Sequence, residues 1–268
     1  MIDAGRRSVL GVLVSAVDYE AVVARVIAAA EARFPLAVTA LAVHGVMTGH
    51  DDAVHRGRLN AFDIVTPDGQ PVRWALRWLH GVSLPERVYG PTLTKHVLSA
   101  AQAKSLPVYF YGSDESTVRS LVANLEEEFP HLVVAGYEPS RFRRLSLEER
   151  QEMLGRIRLS GARIVFVGLG CPRQEVWVFE NVGELGVPVI SVGAAFAFHA
   201  GGLPQAPKFF QDNGLEWLFR FAHEPARLWR RYLILNPRFL WNIGLQLLRM
   251  RDYPVTTGAD RKPVELYG

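Results

Sequence analysis

Nearly uninterrupted apolar runs recur along the first four-fifths of the chain, each followed by a more polar stretch. They are "SVLGVLV" (8–14), "LAVTALAV" (36–43), "FDIV" (62–65), "PVYFYG" (107–112), "LVVAG" (132–136), "RIVFVG" (163–168) and "VPVISVG" (187–193). A strand with one wet face alternates polar and apolar residues. A strand buried on both faces does not, and such strands belong to parallel sheets covered by helices. Helix-like segments fill the gaps, at 18–34, 70–80, from 113 to about 129, 146–159 and 174–183. Asp18 is placed to cap the first, and Ser146 with Glu149 forms a capping box. This alternation predicts an α/β fold with a doubly wound, mostly parallel, Rossmann-like sheet.

The character changes after Gly202. "LPQAPKFF" is a proline-punctuated connection. "LEWLFRFAHEPARLWRRYLILN" (215–236) reads as helix with a restart near Pro225, and Pro237 predicts another interruption before a last helix, 238–250. The expected organisation is an α/β catalytic domain over 1–207, a basic amphipathic helical appendage over 208–253, and a flexible tail over 254–268.

Charge follows the same division. Residues 201–251 carry eight Lys or Arg against three acids, a net +5 in a chain of net +3. The remainder is therefore negative, and the positive charge is local. A local basic patch implies an anionic partner. The apolar stretch 232–250 contains Asn236, Pro237, Arg238 and Asn242, whereas a spanning helix needs about 20 mostly uncharged residues. It reads as a helix lying on a membrane surface. The arginines interleave with Trp217, Phe219, Phe221, Trp229 and Tyr232, which suits phosphate and the membrane interface. Nothing matches a nucleic-acid-binding motif. A single cysteine, Cys171, excludes an internal disulfide framework and fits a reducing, cytoplasmic setting. The N-terminal run reads as a buried strand rather than a signal peptide.

In an open α/β sheet, ligands bind at the carboxyl ends of the strands, where three turns stand out. In "TPDG" (66–69), Pro-Asp-Gly is good β-turn chemistry. It would equally hold the Asp68 carboxylate rigidly at a pocket mouth as a general base. In "VGLGCPRQE" (167–175), Gly168 and Gly170 allow close backbone approach, the next helix offers its N-terminal amides to an anion, and Arg173 and Gln174 add donors. A dinucleotide turn would want a third glycine where Arg173 stands. Cys171 has no evident histidine partner and reads as passive. In "VGAAFAFHAGG" (192–202), Gly193 and its small neighbours permit close approach, and His199 reads as structural. No ligand spacing for a metal is present, and no cofactor is expected.

In this order, Thr39, "VTPDGQPVRWA" (65–75), "ERVYG" (86–90), "VGLGCPRQEVW" (167–177), "VGAAF.FHAG" (192–201) and "GLEWLFRFAHEPARLWRRY" (214–232) resemble the WecG/TagA/CpsF glycosyltransferases, glycosyltransferase family 26. The resemblance implies transfer of a sugar of N-acetylmannosamine or glucose type from a UDP-sugar to a polyprenyl-diphosphate-linked saccharide. It implies inversion at the anomeric carbon, no metal, and a place on the inner face of the cell membrane, in cell-surface polysaccharide synthesis. Asp68 matches the base. Thr39, Arg87 and Gln174 match pocket residues, and Arg220, Arg227 and Arg230 match arginines that meet the donor diphosphate. Self-association into a homo-oligomer is a further implication. Leu41, Thr92 and Ala197 depart from the family's usual Asn, Asp and Asp. Thr92 and Ala197 leave a non-catalytic nucleotide-sugar or membrane-binding protein as one alternative; an NAD-dependent oxidoreductase is a weaker one, disfavoured by Arg173 in place of a third glycine.

Overall fold

A computed structural model describes residues 1–203, 207, 210, 216–259, 261 and 264–268, with backbone only at Glu216, Trp217, Arg220 and Arg227. The chain opens with a hairpin where the sequence suggests one strand. β1 (Asp3–Val9) and β2 (Val12–Val17) pair antiparallel, with Val9 opposite Val12. Leu10 and Gly11 between them both have positive φ, 53° and 85°. Two left-handed residues in a row make the turn whose twist matches a hairpin. "SVLGVLV" therefore folds back on itself at its only glycine.

The central sheet has six described strands, all parallel: β3 (Leu36–Leu41), β4 (Ile64–Pro67), β5 (Val108–Gly112), β6 (Val134–Glu138), β7 (Ile164–Gly168) and β8 (Pro188–Ser191). Their order is β4-β3-β8-β7-β5-β6. Helices α1 (Tyr19–Ala32), α2 (Val43–Asp51), α3 (Ala53–Asn60), α4 (Gln70–His80), α5 (Gly90–Ala103), α6 (Glu115–Glu128), α7 (Leu147–Leu159), α8 (Arg173–Leu185) and α9 (Ala195–His199) connect and cover them. The strands are apolar throughout because both faces are buried. In β7, Val165 and Val167 join the core under α2, α4, α7 and α8, while Ile164 and Phe166 join the core under α1, α5 and α6. This is the doubly wound α/β fold that the strand pattern predicts. The sequence reading did not foresee α2, α3 or α5. α2 and α3 are too short for several turns of periodicity to show, and α5 opens on Gly90-Pro91, which reads as a turn.

The C-terminal helices are α10 (Glu216–His223), α11 (Pro225–Trp229) and α12 (Asn236–Leu247), with a π-helical stretch at Arg230–Leu235. The restart at Pro225 is as the sequence suggests. Pro237 does not interrupt: it sits in the first turn of α12, where no backbone donor is needed. The Asn236 N–H reaches back five residues to the Arg231 carbonyl, and this wide turn carries the chain from one helix into the next. Phe239 and Ile243 of α12 are buried in the main core, and Arg238 makes two hydrogen bonds to Asp51 at 2.6 and 2.7 Å.

The end of the chain, read from sequence as a loose tail, is tied to the body where it is described. The buried carboxylate of Glu180 accepts the N–H groups of Val264, Glu265 and Leu266 at 2.8–3.2 Å. Leu145 N–H donates to Leu266 O at 2.8 Å, and Gly268 N–H to Arg143 O at 3.0 Å. The partners lie far away in sequence, so composition alone carries no trace of this pairing.

Candidate active site

The carboxyl ends of β3, β4, β7 and β8 meet at one edge of the sheet. The turns that leave them line a single cleft, with Leu41, His44, Asp68, Gly168, Gly170, Cys171, Gln174, Gly193 and Arg231 on its walls. Of the residues singled out by sequence, Asp68, Gly168, Gly170, Gln174 and Gly193 are thus brought together.

Asp68 directly follows Pro67, the last residue of β4, and Gly69 caps α4. The Asp68 backbone N–H donates to Thr66 O at 3.0 Å and Leu41 O at 3.3 Å. Its Oδ2 accepts the Gly90 N–H at 3.3 Å. Gly90 opens α5, and a Cβ there would sit 2.9 Å from the Val192 carbonyl. Glycine at position 90 is what lets α5 begin this close to the carboxylate. "TPDG" is accordingly a strand-to-helix junction rather than a free surface turn, with a half-buried carboxylate aimed along the cleft wall.

Gln174 and Glu175 open α8 and stitch the floor together. Gln174 Oε1 accepts the backbone N–H of Gly170 at 3.2 Å and of Gly193 at 3.1 Å. Gln174 Nε2 donates to Glu175 Oε1 at 2.8 Å, and Thr39 Oγ1 donates to the same oxygen at 3.2 Å. The Gln174 amide therefore joins the β7–α8 turn to the β8–α9 turn. Thr39 is fully buried beneath the cleft and acts on it through Glu175. Gly170 has φ 78°, which favours glycine where the turn reverses into α8.

Burial pushes the Glu175 carboxyl up from its ordinary value. It also pushes the Cys171 thiol up, with the neighbouring Glu175 adding to the effect. A thiol held protonated is a poor nucleophile, in keeping with a passive cysteine. His44 is pushed down to about 4, by burial first and by the Arg231 guanidinium second. It lines the cleft as a neutral imidazole.

The other candidate arginines with described side chains lie around this cleft rather than in its walls. Arg87 stacks 4.4 Å over the ring of Tyr89, which does line the cleft. Exposed Arg173 sits 5.8 Å over the Tyr267 ring. Arg230 lies 5.3 Å from the Trp229 ring. The side chains of Arg220 and Arg227 lie outside the described residues. Among the described residues, Arg231, beside the residue that the sequence motif favours, is the arginine on the cleft wall. An α-helical count, with spacings of seven and four from Arg220 and Arg227, points to Arg231 as well, whereas the family motif points to Arg230. Sequence reasoning missed His44 as a cleft residue, and Glu175, a buried acid inside the "VGLGCPRQE" turn.

The departures are informative in place. Leu41 and Ala197 line the cleft, while Thr92 borders a neighbouring hollow with Lys95, Asn124, Glu128 and His199. Among the described residues, no three His, Cys, Asp or Glu side chains gather as a metal site would require. No described helix is long and apolar enough to cross a membrane.

Two comparisons bear on this geometry. The profile of the Glycosyl transferase WecG/TagA/CpsF family matches residues 7–253. A relative from Bacillus spizizenii strain W23, an N-acetylglucosaminyldiphosphoundecaprenol N-acetyl-beta-D-mannosaminyltransferase, is 30% identical over 184 residues, 68% of each chain.

Proposed function

The chain belongs to the WecG/TagA/CpsF family of glycosyl transferases, and we propose that it moves a sugar of N-acetylmannosamine or glucose type from a UDP-sugar to a polyprenyl-diphosphate-linked saccharide. The relative's name pairs such a sugar with such an acceptor. The observation that carries the reading is Asp68 and Arg231 on the walls of one cleft at the carboxyl edge of the sheet.

Sugar transfer needs a base for the acceptor hydroxyl and compensation for charge on the departing diphosphate. Asp68 takes the proton as the hydroxyl oxygen bonds to the anomeric carbon from the face opposite the nucleotide. The bond from that carbon to the diphosphate oxygen breaks, and UDP leaves with the electron pair. The anomeric configuration inverts. Arg231, with Arg227 and Arg230 near it in the chain, supplies the positive charge that a metal supplies in other transferases. Guanidinium groups bind phosphate through a two-pronged fork. Gly168, Gly170 and Gly193 let the backbone come close to the donor, the Gly170 and Gly193 turns being held by Gln174.

On this reading residues 1–207 are the catalytic body and 208–253 the part that meets the membrane, on its inner face, where a polyprenyl acceptor resides. Exposed Trp229, Leu233, Ile234, Trp241 and Leu248 supply the apolar contact. The test is transfer from UDP-N-acetylmannosamine, UDP-glucose and related donors to a short-chain polyprenyl-diphosphate N-acetylglucosamine, without added metal. Asp68→Asn should abolish turnover with the thermal melt unchanged. Near-normal turnover by that variant would remove Asp68 as the base.

A further inference from the structure

Helix α4 has a face that the catalytic chemistry does not use. Val72, Ala75 and Leu76 point into the core, while Trp74 and Trp78, one turn apart, stand 41% and 48% exposed with ring centroids 6.0 Å apart. Arg77 is exposed on the same helix. Two large aromatics on an outer face of a soluble body are unusual enough to require a partner.

The surroundings say which kind. α12 packs against α4. Both helices are pinned to the turn of the N-terminal hairpin, where the Ser8 carbonyl accepts from His80 at 2.8 Å and from Gln246 at 3.3 Å. Along α12 and just beyond it, Leu240, Trp241, Leu248 and Met250 are exposed. Two helices packed on each other thus both carry exposed apolar side chains. The charge is mostly positive: residues 70–80 hold Arg73 and Arg77 with no acid, and residues 236–252 hold Arg249 and Arg251 against Asp252, with Arg238 already paired to Asp51. Tryptophan rings with arginines around them fit the headgroup level of a bilayer. A second copy fits worse, because a two-fold contact through this face would set arginines against their own counterparts.

We propose that α4 is a membrane-docking element of the catalytic body itself, laid with α12 on an anionic lipid surface through Trp74, Trp78 and Arg77. The inference rests on the membrane reading above and deepens it, since it moves half of the docking face into the α/β body. Its consequence is positional. Asp68 stands two residues before the first residue of α4, so seating that helix sets the base at a fixed depth from the lipid surface.

The experiment is flotation of the full-length protein with vesicles of phosphatidylglycerol and phosphatidylcholine, against a Trp74→Ser/Trp78→Ser double variant and, separately, Arg77→Glu. All three positions are exposed, and an unchanged melt confirms that each variant folds. The double variant should partition roughly tenfold more weakly, the scale of withdrawing two aromatic side chains from an interface. Arg77→Glu should weaken binding only to the anionic vesicles. Turnover of a detergent-dispersed short-chain acceptor should stay at the unmutated level. If the unmutated protein floats and the double variant floats equally, the α4 assignment falls while the membrane reading stands. If the unmutated protein does not float, both fall. If the substitutions instead convert a dimer to a monomer in sedimentation, the face is a self-interface and the proposal is overturned.

Discussion

Gln174 donates its amide hydrogen to the carboxyl of its neighbour Glu175 at 2.8 Å, and that one bond fixes which way round the amide lies. With Nε2 committed to Glu175, Oε1 must face the Gly170 and Gly193 N–H groups. The glutamine that sequence reasoning takes for a donor to substrate is engaged by the protein at both ends, with one Nε2 hydrogen left over on the cleft wall. It shapes the cleft by holding two glycine turns at a set distance. Glu175 is thus a positioning residue, with Thr39 as its second partner.

Replacing Glu175 by Gln would offer a carboxamide where Thr39 and Gln174 both need an acceptor. The side-chain oxygen can still accept, but the new NH2 competes for the same space. We expect a kcat loss of about tenfold with little change in the melt. Glu175→Ala should cost more stability, on the order of 1–3 kcal/mol for each buried donor left unpaired. The pH sign follows from the raised carboxyl. The folded state holds the proton more tightly than the unfolded chain, so this contribution is fully present below pH 4.5 and is lost as pH rises toward the folded value. The Gln variant should flatten the decline in melting temperature on the alkaline side of 4.5. A variant melt parallel to the unmutated one across that range would contradict the raised value.

Arg231 and His44 share the cleft, and each reports on the other. Histidine NMR should find a His44 midpoint near 4, well under the usual 6.5. Arg231→Ala removes the second cause and leaves the first, so the midpoint should rise without reaching 6.5. Because the folded value is depressed, His44 costs stability as pH falls from 6.5 toward 4 and costs nothing above it. The same variant should slow transfer by about a hundredfold if the guanidinium meets charge on the leaving diphosphate. Arg230→Ala, whose guanidinium lies by Trp229, should slow it less. Equal effects would mean that the two arginines trade places when the donor binds.

How far the sequence reached depends on what each feature is made of. The parallel sheet was legible because strands buried on both faces are apolar throughout, and "RIVFVG" and "VPVISVG" cannot be read otherwise. Asp68 was legible because a carboxylate between proline and glycine at a strand end has few places to go. The cleft network was not. Glu175 looks like any acid in a first helical turn until tertiary packing buries it, and nothing local separates His44 from its neighbours His50 and His55. Between Arg230 and Arg231, helical spacing from Arg220 and Arg227 favoured Arg231, the one that lines the cleft, while the family motif favoured Arg230.

The end of the chain was the clearest divergence, and it leads to a prediction beyond the family's own extent. The family match stops at residue 253, yet the described residues after it hold on to the body. Glu180 is only 5% exposed and satisfies three consecutive N–H groups of residues 264–266. The same strap pairs with Arg143 and Leu145. Phe142 beside them lines the cleft, and Arg173 at the start of α8 lies over Tyr267. Removing residues 260–268 would leave the Glu180 carboxylate buried without donors and free the 140–145 segment. We expect the truncated protein to lose several kcal/mol, on the scale of a buried charge stripped of its partners. It should also show a raised KM for the donor, because one wall of the cleft loosens. Glu180→Gln in the truncated background should recover part of the stability, since a neutral amide is less costly to bury unpaired than a carboxylate. Truncation with no change in melt or KM would show that the strap is carried by the body without supporting it.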